Sequence, residues 1–307
     1  MNLAVPAIIG QAIDPVAQLL ETAYIGRLVR FSWPQFSCHW RVSSQQYIKA
    51  LQHTTLSIAT SFVAEDVSRQ ESSHKRAVLL PPKTEDLDFV GYIKSGGLLL
   101  GRTLSVLITM TLATSMAARQ GTLAMAAHQI CLQVWLAVSL LSDALAVSAQ
   151  ALIASSFAKQ DYKKVKEVTF YVLKVEFVGV TLALLLFASF GRLAELFSKD
   201  PMVTQIVGSG VLFVSASQPI NALAFIFDGL HFGVSDFSYS ASSMMVVGAL
   251  SSLFLLYAPQ IFGLPGVWAG LALFMSLRMT AGLSYSTKLQ AIVKKMLMSG
   301  AVAKLQD

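Results

Sequence analysis

Six polar residues interrupt apolar stretches of this chain and are its candidates for chemistry: Asp14, Glu21, Arg102, Gln133, Asp143 and Asn221. Asp14 and Glu21 are seven residues apart, which on a helix puts them on one face about 10 Å apart along the axis. A carboxylate within an apolar run can take a proton on one side of a barrier and release it on the other, so the pair suits proton or cation coupling. The plainer reading sets Glu21 at an interface beside Arg27. Arg102 is a permanent cation with a planar fork of donors, which suits a carboxylate held by two hydrogen bonds. Its alternative is to snorkel toward the basic edge at Lys94. Gln133 and Asp143, with His128 and Gln129, either line a cavity with Arg102 or hydrogen-bond between helices. In Gln218-Pro219-Ile220-Asn221 the proline lacks a donor, frees a backbone carbonyl and predicts a broken helix around Asn221. Asp228, closely followed by Gly229 and Gly233, reads as a helix-end cap.

The elements that must hold these residues are long and apolar. Runs over 98–118 and 123–154 meet at Arg119-Gln120-Gly121-Thr122. A hydrocarbon core needs roughly 20 helical residues, and each run reaches that length. Four more runs follow, at 168–190, 203–227, 239–257 and 264–285, making six predicted spans. Composition agrees: 54% of residues are apolar and only 13% charged, a balance that bilayer solvent explains and a soluble domain does not. The expected class is all-α, a polytopic helical membrane protein. The net charge of +6 does not point to nucleic acid, because the basic residues lie between apolar runs and not along one stripe. Lys94, the cluster Lys159, Lys163, Lys164 and Lys166, and the group Lys288, Lys294 and Lys295 are separated by even numbers of predicted crossings. The positive-inside rule therefore puts them all on the cytosolic side or its organellar equivalent. Cys38 and Cys131 offer no metal-ligand spacing, and neither a Walker-type phosphate loop nor a nucleophile elbow occurs. No cofactor, metal or enzymatic activity is expected.

Upstream the pattern is broken. Residues 1–25 are apolar but lack a basic leader, so they read as a membrane helix and not a secretory signal, and no transit peptide is expected from this sequence. Residues 29–55, with Trp33-Pro34, His39-Trp40-Arg41 and Gln45-Gln46, are too polar to span. That interval reads as a local frameshift or misjoined exon between Leu28 and Leu56. Ser61-Phe62-Val63-Ala64-Glu65-Asp66 is echoed by Ser156-Phe157-Ala158-Lys159-Gln160-Asp161, and Gly26 by Gly121 at the same offset, which suggests two copies of a helical unit. Residues 69–94, with Pro81-Pro82 and mixed charges, read as a polar loop.

Several of these blocks carry a likeness. Ser95-Gly96-Gly97, Gly101-Arg102-Thr103, Ala124-Met125-Ala126-Ala127-His128-Gln129-Ile130 and Ala149-Gln150-Ala151-Leu152-Ile153-Ala154 resemble the second half of multidrug and toxic compound extrusion (MATE) transporters, in particular the plant plastid type. The resemblance implies one complete six-helix lobe over 95–287, a remnant of the first lobe over 1–68 and a basic tail over 288–307. It also implies that four helices of the first lobe are absent. The implied activity is antiport, exporting a small organic solute, such as an organic anion of the citrate kind, in exchange for protons or sodium. The competing expectation is a truncated splice or gene-model product with no transport of its own. Within Glu21-Thr22-Ala23-Tyr24-Ile25-Gly26-Arg27, Glu21 resembles the family's first-helix acid, whereas Asn221 stands where bacterial relatives carry an acid. The implied setting is a lipid bilayer, in relatives of this type the chloroplast envelope, and plastid-type relatives would carry a transit peptide.

Overall fold

The computed structural model describes the backbone over 89–175 and 201–303, with isolated positions between, and most side chains over 97–174 and 200–285. The expected helix at 1–25, the aberrant stretch at 29–55 and the polar loop to residue 88 lie outside the described residues, as do Asp14 and Glu21. Every described element is a helix: α1 (Phe89–Arg119), α2 (Thr122–Ala158), α3 (Tyr162–Val175), α4 (Pro201–Gly233), α5 (Phe237–Phe262) and α6 (Leu264–Ala303).

Local chemistry sets the boundaries. Gly121, with φ 107°, takes the turn between α1 and α2 in a conformation that a side chain would strain. Asp200 starts α4 by accepting from the Met202 amide at 2.9 Å, with Pro201 in the first turn where its missing donor costs nothing. Asp236 starts α5 the same way, accepting from the Tyr239 amide at 3.1 Å. Among the described residues four helices are long and apolar enough to cross a bilayer: Gly97–Arg119, Thr122–Ala158, Phe237–Phe262 and Leu264–Tyr285. α4 makes a fifth when its two halves, Pro201–Val211 and Phe213–Gly233, which meet at 43°, are counted as one span. The chain is thus an integral, multi-pass membrane protein. Most of the expected span at 168–190 lies outside the described residues.

The helices close into a ring in which α1 packs on α5, α5 on α6, α6 on α4, and α4 most extensively on α2, with α3 against α2 and α4. α1 and α5 run parallel: Ser105 bonds to the Met244 carbonyl, Thr109 to that of Gly248, and Gln120 to that of Pro259. α2 and α4 also run parallel, since Gly210 lies against Cys131, Gly229 against Ala146 and Gly233 against Ile153. These seams are close because the residues are small. A Cβ on Gly229 would stand 2.6 Å from the Ala146 carbonyl oxygen. In lipid, helices gain little from hiding apolar surface from one another, so such backbone approach and its dispersion contacts supply much of the attachment. Trp135, Phe213 and Trp268 stack through the centre, with ring centroids 6.4 and 6.2 Å apart, joining α2, α4 and α6. Outward residues such as Leu104, Ile108, Leu253 and Ile261 are exposed, the pattern of a surface solvated by lipid.

The bend of α4 differs from expectation. It falls between Val211 and Phe213, seven residues before Pro219, and the helix runs on through the proline. Gly208 and Gly210 precede the bend, and the absent side chain at Gly210 lets α4 lean on Cys131 and Trp268. Pro219 still leaves the Ser215 carbonyl without its helical donor, but the packed seam with α2 holds the helix straight there.

Candidate functional site

Near the end of the bundle where α4 turns into α5, three charged side chains meet. Asp228 of α4 accepts from Arg278 of α6 through Nε at 2.8 Å and again through Nη2, and from Arg102 of α1 through Nη2. All three bonds fall on one carboxylate oxygen, Oδ2. The side chains of Arg102, Asp228 and Arg278 are 12%, 13% and 8% exposed. Each guanidinium also lies over an aromatic ring, Arg102 over Phe232 at 5.0 Å and Arg278 over Phe225 at 4.5 Å. Asp143 of α2 adds a second attraction on Arg102. Arg102 Nε has no hydrogen-bond partner among the described residues.

The helices force this meeting. Arg102 lies five residues into the apolar stretch Gly97–Arg119 of α1 and Asp228 five residues before the end of α4, each about 8 Å by helical rise from the end of its membrane-spanning stretch. The small-residue contacts Gly248 with Ser105 and Gly229 with Ala146 set α5 on α1 and α4 on α2.

Several expectations are corrected here. Arg102 does not snorkel toward Lys94; its fork turns into the bundle. Asp228 does not cap a helix, because α4 continues for five further residues and the carboxylate is ion-paired across to two other helices. Of the expected substrate residues, Arg102 and Asp143 come together at this cluster, but Asn221 does not join them. Asn221 sits deeper in the α2–α4 seam, where its amide donates to the Ser139 hydroxyl. The same seam holds Trp135 Nε1 donating to Ser217 at 2.9 Å and Gln218 donating to the Trp135 carbonyl at 3.4 Å. Gln133 is buried, 5% exposed, on α2. Met244 is core and Met245 faces outward, while Phe213 and Phe225 serve ring stacking and the Arg278 contact. Arg278 escaped the sequence reading, although an arginine fourteen residues into the apolar 264–285 run was a signal as strong as Arg102. Among the described residues no group of His, Cys, Asp and Glu is arranged to hold a metal ion.

The MatE family profile matches residues 99–258, which contain α2, α5 through residue 258, all of α4, and the Arg102 and Asp228 side chains. The chain belongs to the MatE family. It is 68% identical over 212 residues to Protein DETOXIFICATION 45, chloroplastic, of Arabidopsis thaliana, an alignment covering 69% of this chain and 38% of that protein. To Protein DETOXIFICATION 44, chloroplastic, of the same plant it is 52% identical, over 68% of this chain and 40% of that one. The matched part of this MatE chain therefore spans about two fifths of these curated relatives. The fold is similar to the outward-facing conformation of a multidrug resistance MATE family transporter of the MOP superfamily, with a TM-score of 0.60 at 15% identity, covering 72% of this chain and 52% of that one.

Proposed function

We propose that this MatE chain contributes one lobe of a secondary transporter that exports a small organic anion, with Arg102 and Arg278 recognising its carboxylate. The observation that carries the reading is the convergence of two buried guanidinium groups on a single carboxylate oxygen. Asp228 there stands in chemically for the carboxylate of a bound solute such as citrate, and the unpartnered Nε of Arg102 supplies a further donor. Placement between three helices of one lobe suits alternating access, since an anion that competes with Asp228 changes what ties α1 to α4 and α6. Asp14 and Glu21 remain the proposed groups for proton or sodium coupling. The plastid envelope is the proposed membrane, by likeness to the two chloroplastic relatives.

Citrate binding to the full chain in lipid nanodiscs tests this. Arg102→Gln and Arg278→Gln should each weaken binding roughly tenfold to a hundredfold, the value of about 1.5–3 kcal/mol for hydrogen bonds to a charged group. Arg102→Lys should restore little, because it keeps the charge but loses the fork. Equal citrate affinity in Arg102→Gln and the parent, or tighter binding of an organic cation that ignores both arginines, would sink the anion reading.

A further inference from the structure

His231 has no role in the cluster as described, yet it lies beside it. It follows Asp228 by three residues on α4 and so shares its helix face. The residue is 4% exposed, and neither ring nitrogen has a hydrogen-bond partner among the described residues. Its ring is instead held between two aromatics, Tyr239 of α5 at 5.4 Å and Tyr285 of α6 at 4.5 Å between centroids. Neither tyrosine hydroxyl serves it: Tyr239 donates to the Ala281 carbonyl at 2.9 Å, and Tyr285 is bonded to Asp236. The charged groups facing the imidazole are Asp228 on its own helix, Arg102 from α1 and Asp236 at the start of α5.

Leaving an imidazole buried without partners costs free energy, so a second state that satisfies it is favoured by whatever brings that state about. A proton does so. It makes both ring nitrogens donors, and the carboxylate one turn back holds both arginines through Oδ2, so that its other oxygen, Oδ1, takes no part in those three bonds.

We propose that His231 is a proton-binding site whose protonation draws Asp228 away from the arginine pair and so prepares that pair for an anion. The proton comes from solvent to a ring nitrogen, and the new N–H donates to Asp228 Oδ1; no other covalent bond is made or broken, and the Arg102 hydrogen bond to Asp228 Oδ2 is given up. The carboxylate then accepts from His231 and Arg278, Arg102 is freed to turn its fork to a solute, and the added charge attracts that solute. Proton and anion binding to this lobe are positively linked, each raising the affinity for the other by the same factor. This inference rests on the reading of Arg102 and Arg278 as a carboxylate site.

The probe is 1,3-propanedisulfonate, an organic dianion whose own charge does not change across the histidine range, titrated into the full chain in nanodiscs at about pH 5 and about pH 8. The parent should bind it roughly tenfold more tightly at the lower pH, and His231→Gln should lose that difference. Should His231→Gln not be recovered folded, His231→Asn serves the same comparison. Equal affinity at the two pH values in the parent, or a pH dependence that survives in both variants, overturns the proton site while leaving the arginine pair standing. No disulfonate binding at either pH overturns the arginine reading, and the linkage falls with it.

Discussion

Two polar clusters lie in this bundle, and they hold it in different ways. The α2–α4 seam is neutral and is tied by hydrogen bonds between uncharged groups: Trp135 donates to Ser217, Gln218 and Ser139 to the Trp135 carbonyl, and Asn221 to Ser139. The cluster at the α4–α5 end is charged, draws on α1, α4 and α6, and pairs two cations with one carboxylate oxygen. The neutral seam joins two parallel helices that already touch through small residues, so its hydrogen bonds add only to an existing attachment. The charged cluster joins helices with far less shared backbone contact, and it would be costly to bury if any member were missing. A neutral seam is a fixture. An ion cluster in which two guanidinium groups share one carboxylate oxygen is an arrangement that a proton or an anion can shift.

The sharpest way to break this contrast is to remove the shared carboxylate. Asp228→Ala leaves two buried guanidinium groups without the carboxylate they share and should destabilise the chain by about 3–5 kcal/mol, read as a large fall in the unfolding midpoint in detergent. A fall no greater than that of the neutral-seam variants would remove the distinction. Next in size is the seam's packing. Gly229→Ala places a methyl 2.6 Å from the Ala146 carbonyl oxygen and should cost about 1–3 kcal/mol, whereas alanine at Gly208, with open space at its Cβ position, should cost nothing by this route. The same unfolding measurement on both variants checks it, and equal values would show that close approach is not what holds α2 to α4. The smallest effect belongs to the neutral hydrogen bonds. Asn221→Ala should cost only about 0.6–1.7 kcal/mol, the range for interhelical hydrogen bonds in a membrane bundle, and leave citrate affinity unchanged. A loss of affinity beyond threefold would return Asn221 to the binding site.

Much of the architecture was legible in the chain. Apolar runs of spanning length, the glycine turn at Gly121 and the aspartates before α4 and α5 follow from short-range chemistry, and their helices appear where that chemistry puts them. Leu99 of α1 packs with Phe232 and Phe237 at the α4–α5 turn. The bend in α4 was misplaced because a proline is visible in sequence, whereas the contact of Gly210 with Cys131 and Trp268 is not.

The candidate site divides along the same line. The sequence by itself marked Arg102 and Asp143 as polar residues that interrupt apolar runs, where a charge faces a cavity or a partner. Only the tertiary structure decided who meets whom. Asp228 is 126 residues from Arg102 and 50 from Arg278, so no local periodicity relates them, and Gly229 and Gly233 beside it looked like a helix end. Those glycines are close-approach points against α2, and by letting the helices lie backbone to backbone they aim Asp228 at two arginines from other parts of the chain. Charge and burial are properties of a residue in its run; pairing is a property of which helices touch.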